Sequence, residues 1–323
     1  MTSKSPSIRV VFMGTPEFAV ASLAALNNDP NIDVSAVVTV ADKPAGRGQK
    51  IRISAVKEYA LEHGLPVLQP LKLKDPKFIE SLLAFQAEAF CVVAFRMLPE
   101  IVWTMPAKGT INLHGSLLPN YRGAAPINRA VMNGETQTGV TTFFIEKEID
   151  TGNVIAQAKM DISLNATAGG VHDEMMILGA ELLRKTVLQM AANTAKAIPQ
   201  EELMDIRQTK PAPKLFRKDC QINWNQHVSE VHNFVRGLSP FPTAWTHMDG
   251  KTLKIYKGTL SERPSQKKSP GTLFVENGQL FVATQDFDFE LIDVQLEGKK
   301  RMPSTDFIRG QQALQSQSIQ LQK

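Results

Sequence analysis

Asn112 and His114 stand two residues apart in the segment Thr-Ile-Asn-Leu-His, and an acid, Asp150, follows at the end of Ile-Glu-Lys-Glu-Ile-Asp. In a strand, side chains at i and i+2 share a face, so Asn112 and His114 project together while Leu113 points into the core. A neutral amide can donate to an oxyanion, and an imidazole can move a proton, which suits attack on an acyl carbon. An acid near the imidazole can fix its tautomer. Taken singly, the pair is more simply a polar strand end. The aperiodic stretch His-Gly-Ser-Leu-Leu-Pro after it, its place at the end of a strand and the later acid turn the balance toward an acyl-transfer site.

Two other patterns bear on chemistry. Asp150-Thr151-Gly152 is also the triplet of aspartic proteases, but those enzymes pair two such loops and this chain holds one. The plainer reading is an Asx turn ahead of Gly152. Residues 42–50, Asp-Lys-Pro-Ala-Gly-Arg-Gly-Gln-Lys, place Lys43, Arg47 and Lys50 in a glycine-rich loop. It is either an ordinary solvated loop or one in which Arg47 meets a phosphate or stacks on a base. His63, His172, His227, His232 and His247 are scattered and read as structural or solvent-facing. No Gly-x-Gly-x-x-Gly follows the first strand and no Gly-x4-Gly-Lys-Ser/Thr occurs, so a dinucleotide or P-loop site lacks its phosphate cradle.

The elements that must position these residues alternate. Ile8 to Met13 is a β-branched run ending at Gly14, and Thr15 and Pro16 predict the cap and first residue of a helix through Leu26. Strands are expected at Val34 to Val40, Ala89 to Phe95 and Thr110 to His114, with helices at Ser54 to His63 and Pro76 to Leu83. This pattern predicts an α/β, Rossmann-like, doubly wound parallel sheet whose ligands bind beyond the strands' carboxyl ends, where His114 sits. Two further strands, Gly139 to Ile145 and Asn153 to Met160, and a helix from Gly170 to Ala192 complete a domain over residues 1–194.

Residues 195–213, with three prolines and mixed charge, read as a linker. Over residues 214–323 a helix at His227 to Gly237 precedes five short alternating strands, with turns at Asp249-Gly250 and Asn277-Gly278. This predicts a smaller C-terminal OB-like β-barrel. The Gln-rich end, Gln311 to Lys323, is expected to fray.

Composition fits a soluble globular chain: 43% hydrophobic, 21% charged, and only two cysteines, without metal-ligand spacing. A reduced, cytoplasmic setting follows, with no signal peptide, no membrane span and no metal expected. Nothing calls for more than a monomer. From Arg207 to Lys323 there are 17 Lys and Arg against 11 Asp and Glu, so the basic excess sits in the second half and favours an anionic partner, nucleic acid first.

INLHGSLLPNYRGAAPI, followed by IDTG, resembles the motif of the 10-formyltetrahydrofolate-dependent formyltransferases. FMGTPEFA, DKPAGRGQK, VRGLSPFPTAW and GKKRMPSTDFIRG extend the likeness to about Ile8 to Gly310, and to members whose acceptor is the methionine amine of initiator methionyl-tRNA. The resemblance implies 10-formyltetrahydrofolate as formyl donor, Asn112, His114 and Asp150 as the catalytic trio, and Ser116, Leu117, Leu118 and Pro119 at the folate. It also implies Arg47, with Lys43 and Lys50 in the same loop, at the tRNA. The chain departs from the family at Ala94-Phe95-Arg96-Met97-Leu98-Pro99, one residue short and with Arg96 where glycine is usual. The alternatives are a formyltransferase acting on an amino-sugar nucleotide, a formyltetrahydrofolate hydrolase, or a nucleic-acid-binding module with an inert enzyme half.

Overall fold

The computed structural model describes residues 7–45, 50–265, 268–311, 314 and 318–322, in two compact units. The first comprises residues 1–123, 138–160 and 172–211, and the second residues 124–137, 161–171 and 212–323.

The first unit is built on β1 (Ile8–Gly14), α1 (Glu17–Asn27), β2 (Ile32–Val38), a hairpin of β3 (Lys43–Ala45) and β4 (Lys50–Arg52), α2 (Ala55–Glu62) and β5 (Val67–Leu68). Next come α3 (Pro76–Ala84), β6 (Ala89–Val93), α4 (Glu100–Trp103) and β7 (Thr110–His114). After α5 (Pro126–Met132), which belongs to the second unit, follow β8 (Gln137–Phe144), β9 (Val154–Asp161), α6 (Ala168–Ala191) and α7 (Gln200–Leu203). The sheet order is β5-β2-β1-β6-β7-β8-β9. Five neighbouring strands, β5 through β7, are parallel, and the order reverses between β1 and β6, as a doubly wound sheet requires.

The sheet is mixed rather than wholly parallel, because β8 pairs antiparallel with β7, His114 opposite Thr141. Val11, Met13, Phe90 and Val92 bury one face against Phe78, Leu82 and Val102 of α3 and α4. Phe12 and Gly14 point the other way, and a Cβ on Gly14 would lie 2.8 Å from Ala19 of α1. Each fully buried Phe, Leu or Val contributes about 1.5–3 kcal/mol, so this interior fixes where the strands end.

Caps follow local chemistry. Ser54 accepts from Lys57 N at the start of α2, and Asp75, ahead of Pro76, accepts from Lys77 N at the start of α3. The expected cap at Thr15 does not form: α1 starts at Glu17, and the buried Thr15 Oγ1 has no hydrogen-bond partner among the described residues. Pro16 is extended there, which moves the helix start one residue on.

The second unit contains α8 (Val228–Gly237), β10 (Ala244–Met248), β11 (Lys251–Pro264), β12 (Thr272–Glu276), β13 (Gln279–Ala283), β14 (Phe287–Leu296), β15 (Met302–Pro303), α9 (Ser304–Arg309) and β16 (Ile319–Gln320). Its antiparallel sheet runs β10-β11-β14-β13-β12-β16. The turns at Asp249-Gly250 and Asn277-Gly278 have positive φ at both residues (49° and 74°, 50° and 76°), the geometry of tight hairpins. Val231 and Val235 of α8 pack with Leu253, Ile255 and Phe289 inside the curl. Two segments from earlier in the chain join this unit: Asn128 donates to Gly237 O at 2.8 Å, and Arg236 donates to Ala166 O at 2.9 Å.

The Gln-rich end does not fray where it is described. Ile319 and Gln320 pair with β12, while His247 of β10 and Gln322 exchange hydrogen bonds of 3.2 and 3.0 Å. Leu314, Ile319 and Leu321 are buried. The chain end thus joins the two outer strands of the sheet, whose edges would otherwise carry unpaired backbone groups. Cys91 and Cys220 are free and buried, and burial pushes the Cys91 thiol up to about 12. Among the described residues no helix is long and apolar enough to cross a membrane.

Candidate active site

β7 places the first two residues of the site. Ile111 and Leu113 are buried, and Asn112 and His114 share the opposite face of a strand held between β6 and β8. The Asn112 amide makes no hydrogen bond to the described residues. The His114 ring is 7% exposed and stands edge-on to Phe143, with centroids 6.4 Å apart.

His114 Nε2 lies 2.9 Å from Tyr121 O. A carbonyl only accepts, so Nε2 carries the hydrogen, and the neutral ring presents the Nδ1 lone pair. Nδ1 faces Asp150 Oδ2 at 3.7 Å, too far for a hydrogen bond but close enough to oppose charge on the ring. The backbone of Tyr121, rather than Asp150, therefore sets the tautomer. Tyr121 has a φ of 61°, which turns its carbonyl back toward the strand end.

Asp150 is held independently of His114. It adopts φ 55°, which Asp tolerates better than most residues, and its Oδ2 accepts from Gly123 N at 2.9 Å. Gly152 permits the turn, because a Cβ there would sit 1.8 Å from Phe144 O. Gln200 closes it: fully buried, its Nε2 donates to Asp150 O and Gly152 O at 2.9 and 2.8 Å. Its Oε1 accepts from Arg122 Nε and a terminal Arg122 nitrogen at 3.0 and 2.7 Å. One amide thus ties the turn bearing Asp150 to the segment bearing Tyr121 and Gly123.

Ser116, Leu118 and Pro119 are buried and Leu117 half-buried. Ser116 Oγ donates to Asn120 O at 2.6 Å, Thr141 Oγ1 donates to Ser116 O at 2.6 Å, and Gln157 donates to Leu118 O at 2.8 Å. Leu118 N donates to Thr141 Oγ1 at 3.1 Å, and its side chain packs on Phe143 and Val154. This segment is a braced turn whose polar groups are largely engaged, and Leu117 offers its most accessible side chain. Arg96, in place of a glycine, donates to Pro70 O and to Leu71 O, pinning the 94–99 loop to the chain after β5.

Lys43 lies exposed on β3, and Lys50 starts β4 opposite Ala45. Arg47 lies outside the described residues. At the hairpin base, hydrogen bonds from Lys57 and Gln69 hold the Asp42 carboxyl below the ordinary carboxylate range. Tyr121 O, Gly123 N and Gln200 were not identified from sequence. The first two act through backbone atoms, and Gln200 sits in a proline-rich stretch with no period.

The arrangement is an amide donor beside an imidazole of fixed tautomer, backed by a carboxylate, at the end of a central strand. Residues 8–187 match the formyl transferase family and residues 214–312 its C-terminal domain, so the chain belongs to the formyl transferase family. It is 50% identical over 316 residues to a methionyl-tRNA formyltransferase of Parabacteroides distasonis, covering 95% of this chain and 97% of that one. With a methionyl-tRNA formyltransferase of Bacteroides fragilis it shares 47% over 314 residues, 95% and 96% of the two chains. Among solved structures it is similar in fold to WlaRD, a sugar 3N-formyl transferase crystallised in the presence of dTDP and 5-N-formyl-THF. That likeness has a TM-score of 0.64 at 22% identity and covers 91% of this chain and 99% of that one.

Proposed function

We propose that this chain transfers the formyl group of 10-formyltetrahydrofolate to the α-amine of methionine on initiator methionyl-tRNA, supplying formylated initiator for translation in the cytoplasm. The observation that carries the reading is the near-full-length identity of 47–50% to curated methionyl-tRNA formyltransferases. The site supports it with a donor, an imidazole and a carboxylate on adjoining segments.

The neutral amine attacks the formyl carbon. Charge develops on the formyl oxygen, to which the Asn112 amide, otherwise unengaged by the described residues, donates. The amine loses a proton to His114 Nδ1, the nitrogen left unprotonated by the Nε2–H bond to Tyr121 O, and Asp150 opposes the resulting positive charge from 3.7 Å. Collapse forms the amide, breaks the bond between the formyl carbon and N10, and returns a proton to that nitrogen. Ser116, Leu117, Leu118 and Pro119 wall the donor's side, with Leu117 as the contact surface. Lys43, Arg47 and Lys50 of the β3–β4 hairpin segment hold the acceptor's phosphates, with the basic second unit as the wider platform.

The discriminating assay gives purified protein 10-formyltetrahydrofolate with either methionyl initiator tRNA or a nucleotide-linked amino sugar. Formylation of the tRNA is expected. Transfer to the sugar with none to the tRNA would overturn the assignment, as would donor hydrolysis without transfer.

A further inference from the structure

The register of the second unit's sheet sets Trp245 opposite Lys254, and Lys254 opposite Gln295. Their strand neighbours Ala244, Leu253, Ile255 and Leu296 are buried, so this row faces outward. With Lys214, Phe216 and Arg217 from the chain ahead of α8, and Phe241 from the loop after it, the row lines a cavity of about 730 Å³, within the range of ligand sites.

Two features make this more than a dent in a barrel. Phe216 and Phe241 are 56% and 81% exposed, so two phenyl rings on one cleft are left to solvent. Lys214, Arg217 and Lys254 form no ion pair with the described residues, whereas Arg263, Arg301 and Arg309 of the same unit each meet a carboxylate. The cations are also placed on aromatic faces: Lys214 Nζ lies 5.5 Å from the Phe216 centroid, and the Arg217 guanidinium 5.4 Å from that of Trp245. The carboxylate at the rim, Glu297, accepts from Thr252 N–H at 2.9 Å, and that bond, with the Arg217 charge nearby, holds it below the ordinary carboxylate range; Lys214 and Lys254 are then the cations of the cleft left without a carboxylate among the described residues. Exposed aromatic faces interleaved with unneutralised cations suit a base and its phosphate together, the combination by which OB-type sheets hold single strands. A free phosphate or a purely acidic peptide would engage the cations and leave both phenyl rings unused.

We propose that this cleft binds an unpaired nucleotide of the RNA substrate, its base stacked on Phe216 and Phe241 and its phosphate against Lys214 and Lys254. The proposal rests on the reading of the acceptor as a tRNA and adds a stacking subsite to it.

The test uses the full chain and two probes, initiator tRNA and a short single-stranded oligoribonucleotide, titrated by fluorescence anisotropy over a range of salt. Phe216→Ala is expected to weaken both by about tenfold, the low end of what one base–aromatic stack supplies, with the salt dependence of log Kd unchanged. Phe216→Tyr should restore binding. Lys254→Ala should weaken binding and lower the salt slope by about one. Wild-type affinity in Phe216→Ala, or a loss that tyrosine does not restore, would overturn the proposal. The acceptor reading fails separately: RNA binding that depends on Phe216 in a protein that does not formylate methionyl-tRNA would sink that reading and leave the cleft.

Discussion

Replacing Gln200 by leucine should damage both stability and turnover, by amounts its hydrogen bonds allow one to work out. Leucine roughly fills the volume but leaves Asp150 O, Gly152 O and the Arg122 guanidinium without the partner they have at 2.7–3.0 Å. An unpaired buried carbonyl costs about 1–3 kcal/mol, and a charged group more. Two carbonyls and a half-buried guanidinium then give about 3–5 kcal/mol, a large share of the roughly 5–15 kcal/mol that holds a domain together. The same bonds fix the Asp150 turn, so kcat should fall as well, on the order of 100-fold if the carboxylate moves by about 1 Å. Gln200→Glu separates the two halves of the contact. It keeps the Arg122 pairing and sets an oxygen against both loop carbonyls, so it should retain more stability than leucine while losing comparable activity. Denaturant titration and steady-state formylation kinetics read the two effects. A Gln200→Leu protein with wild-type midpoint and wild-type kcat would refute the claim that this amide holds the site together.

Three further outcomes are expected. Asp150→Asn should leave the midpoint of unfolding near wild type, because asparagine tolerates positive φ and still accepts from Gly123 N, yet lower kcat by about 100-fold or more through loss of charge beside His114. Gly152→Ala should destabilise by about 3 kcal/mol or more, because its Cβ would meet Phe144 O at 1.8 Å; a folded, active variant would show that the hairpin can spread there. His232 is 3% exposed, and burial, with Arg236 second, pushes it down to about 4. The unfolded chain therefore takes up the proton first, and its share of stability, up to about 3 kcal/mol, is full above the unfolded value near 6.5 and is lost as pH falls from there toward 4. Denaturation across that window should show the slope in the wild type and a flatter one in His232→Gln.

The primary structure by itself determined the α/β alternation, five of the second unit's seven described strands to within two residues except at the far end of β11, and the two tight Gly turns. Apolar period and turn chemistry are local properties, legible wherever side-chain identity carries them. It also determined that Asn112 and His114 would share a face, since that needs only a strand. Tertiary structure decided the rest. The antiparallel seat of β8 beside β7 depends on the route the chain takes through α5, which no local period encodes. The end of the chain joins the sheet's edges because β10 and β12 need partners, not because glutamines favour strands. Tyr121 O sets the His114 tautomer through a backbone atom that every residue possesses, and Gln200 finds the Asp150 turn across fifty residues of sequence. Residue types name the groups able to do the chemistry, whereas distances between distant segments select which of them meet, and those distances exist only once the core has packed.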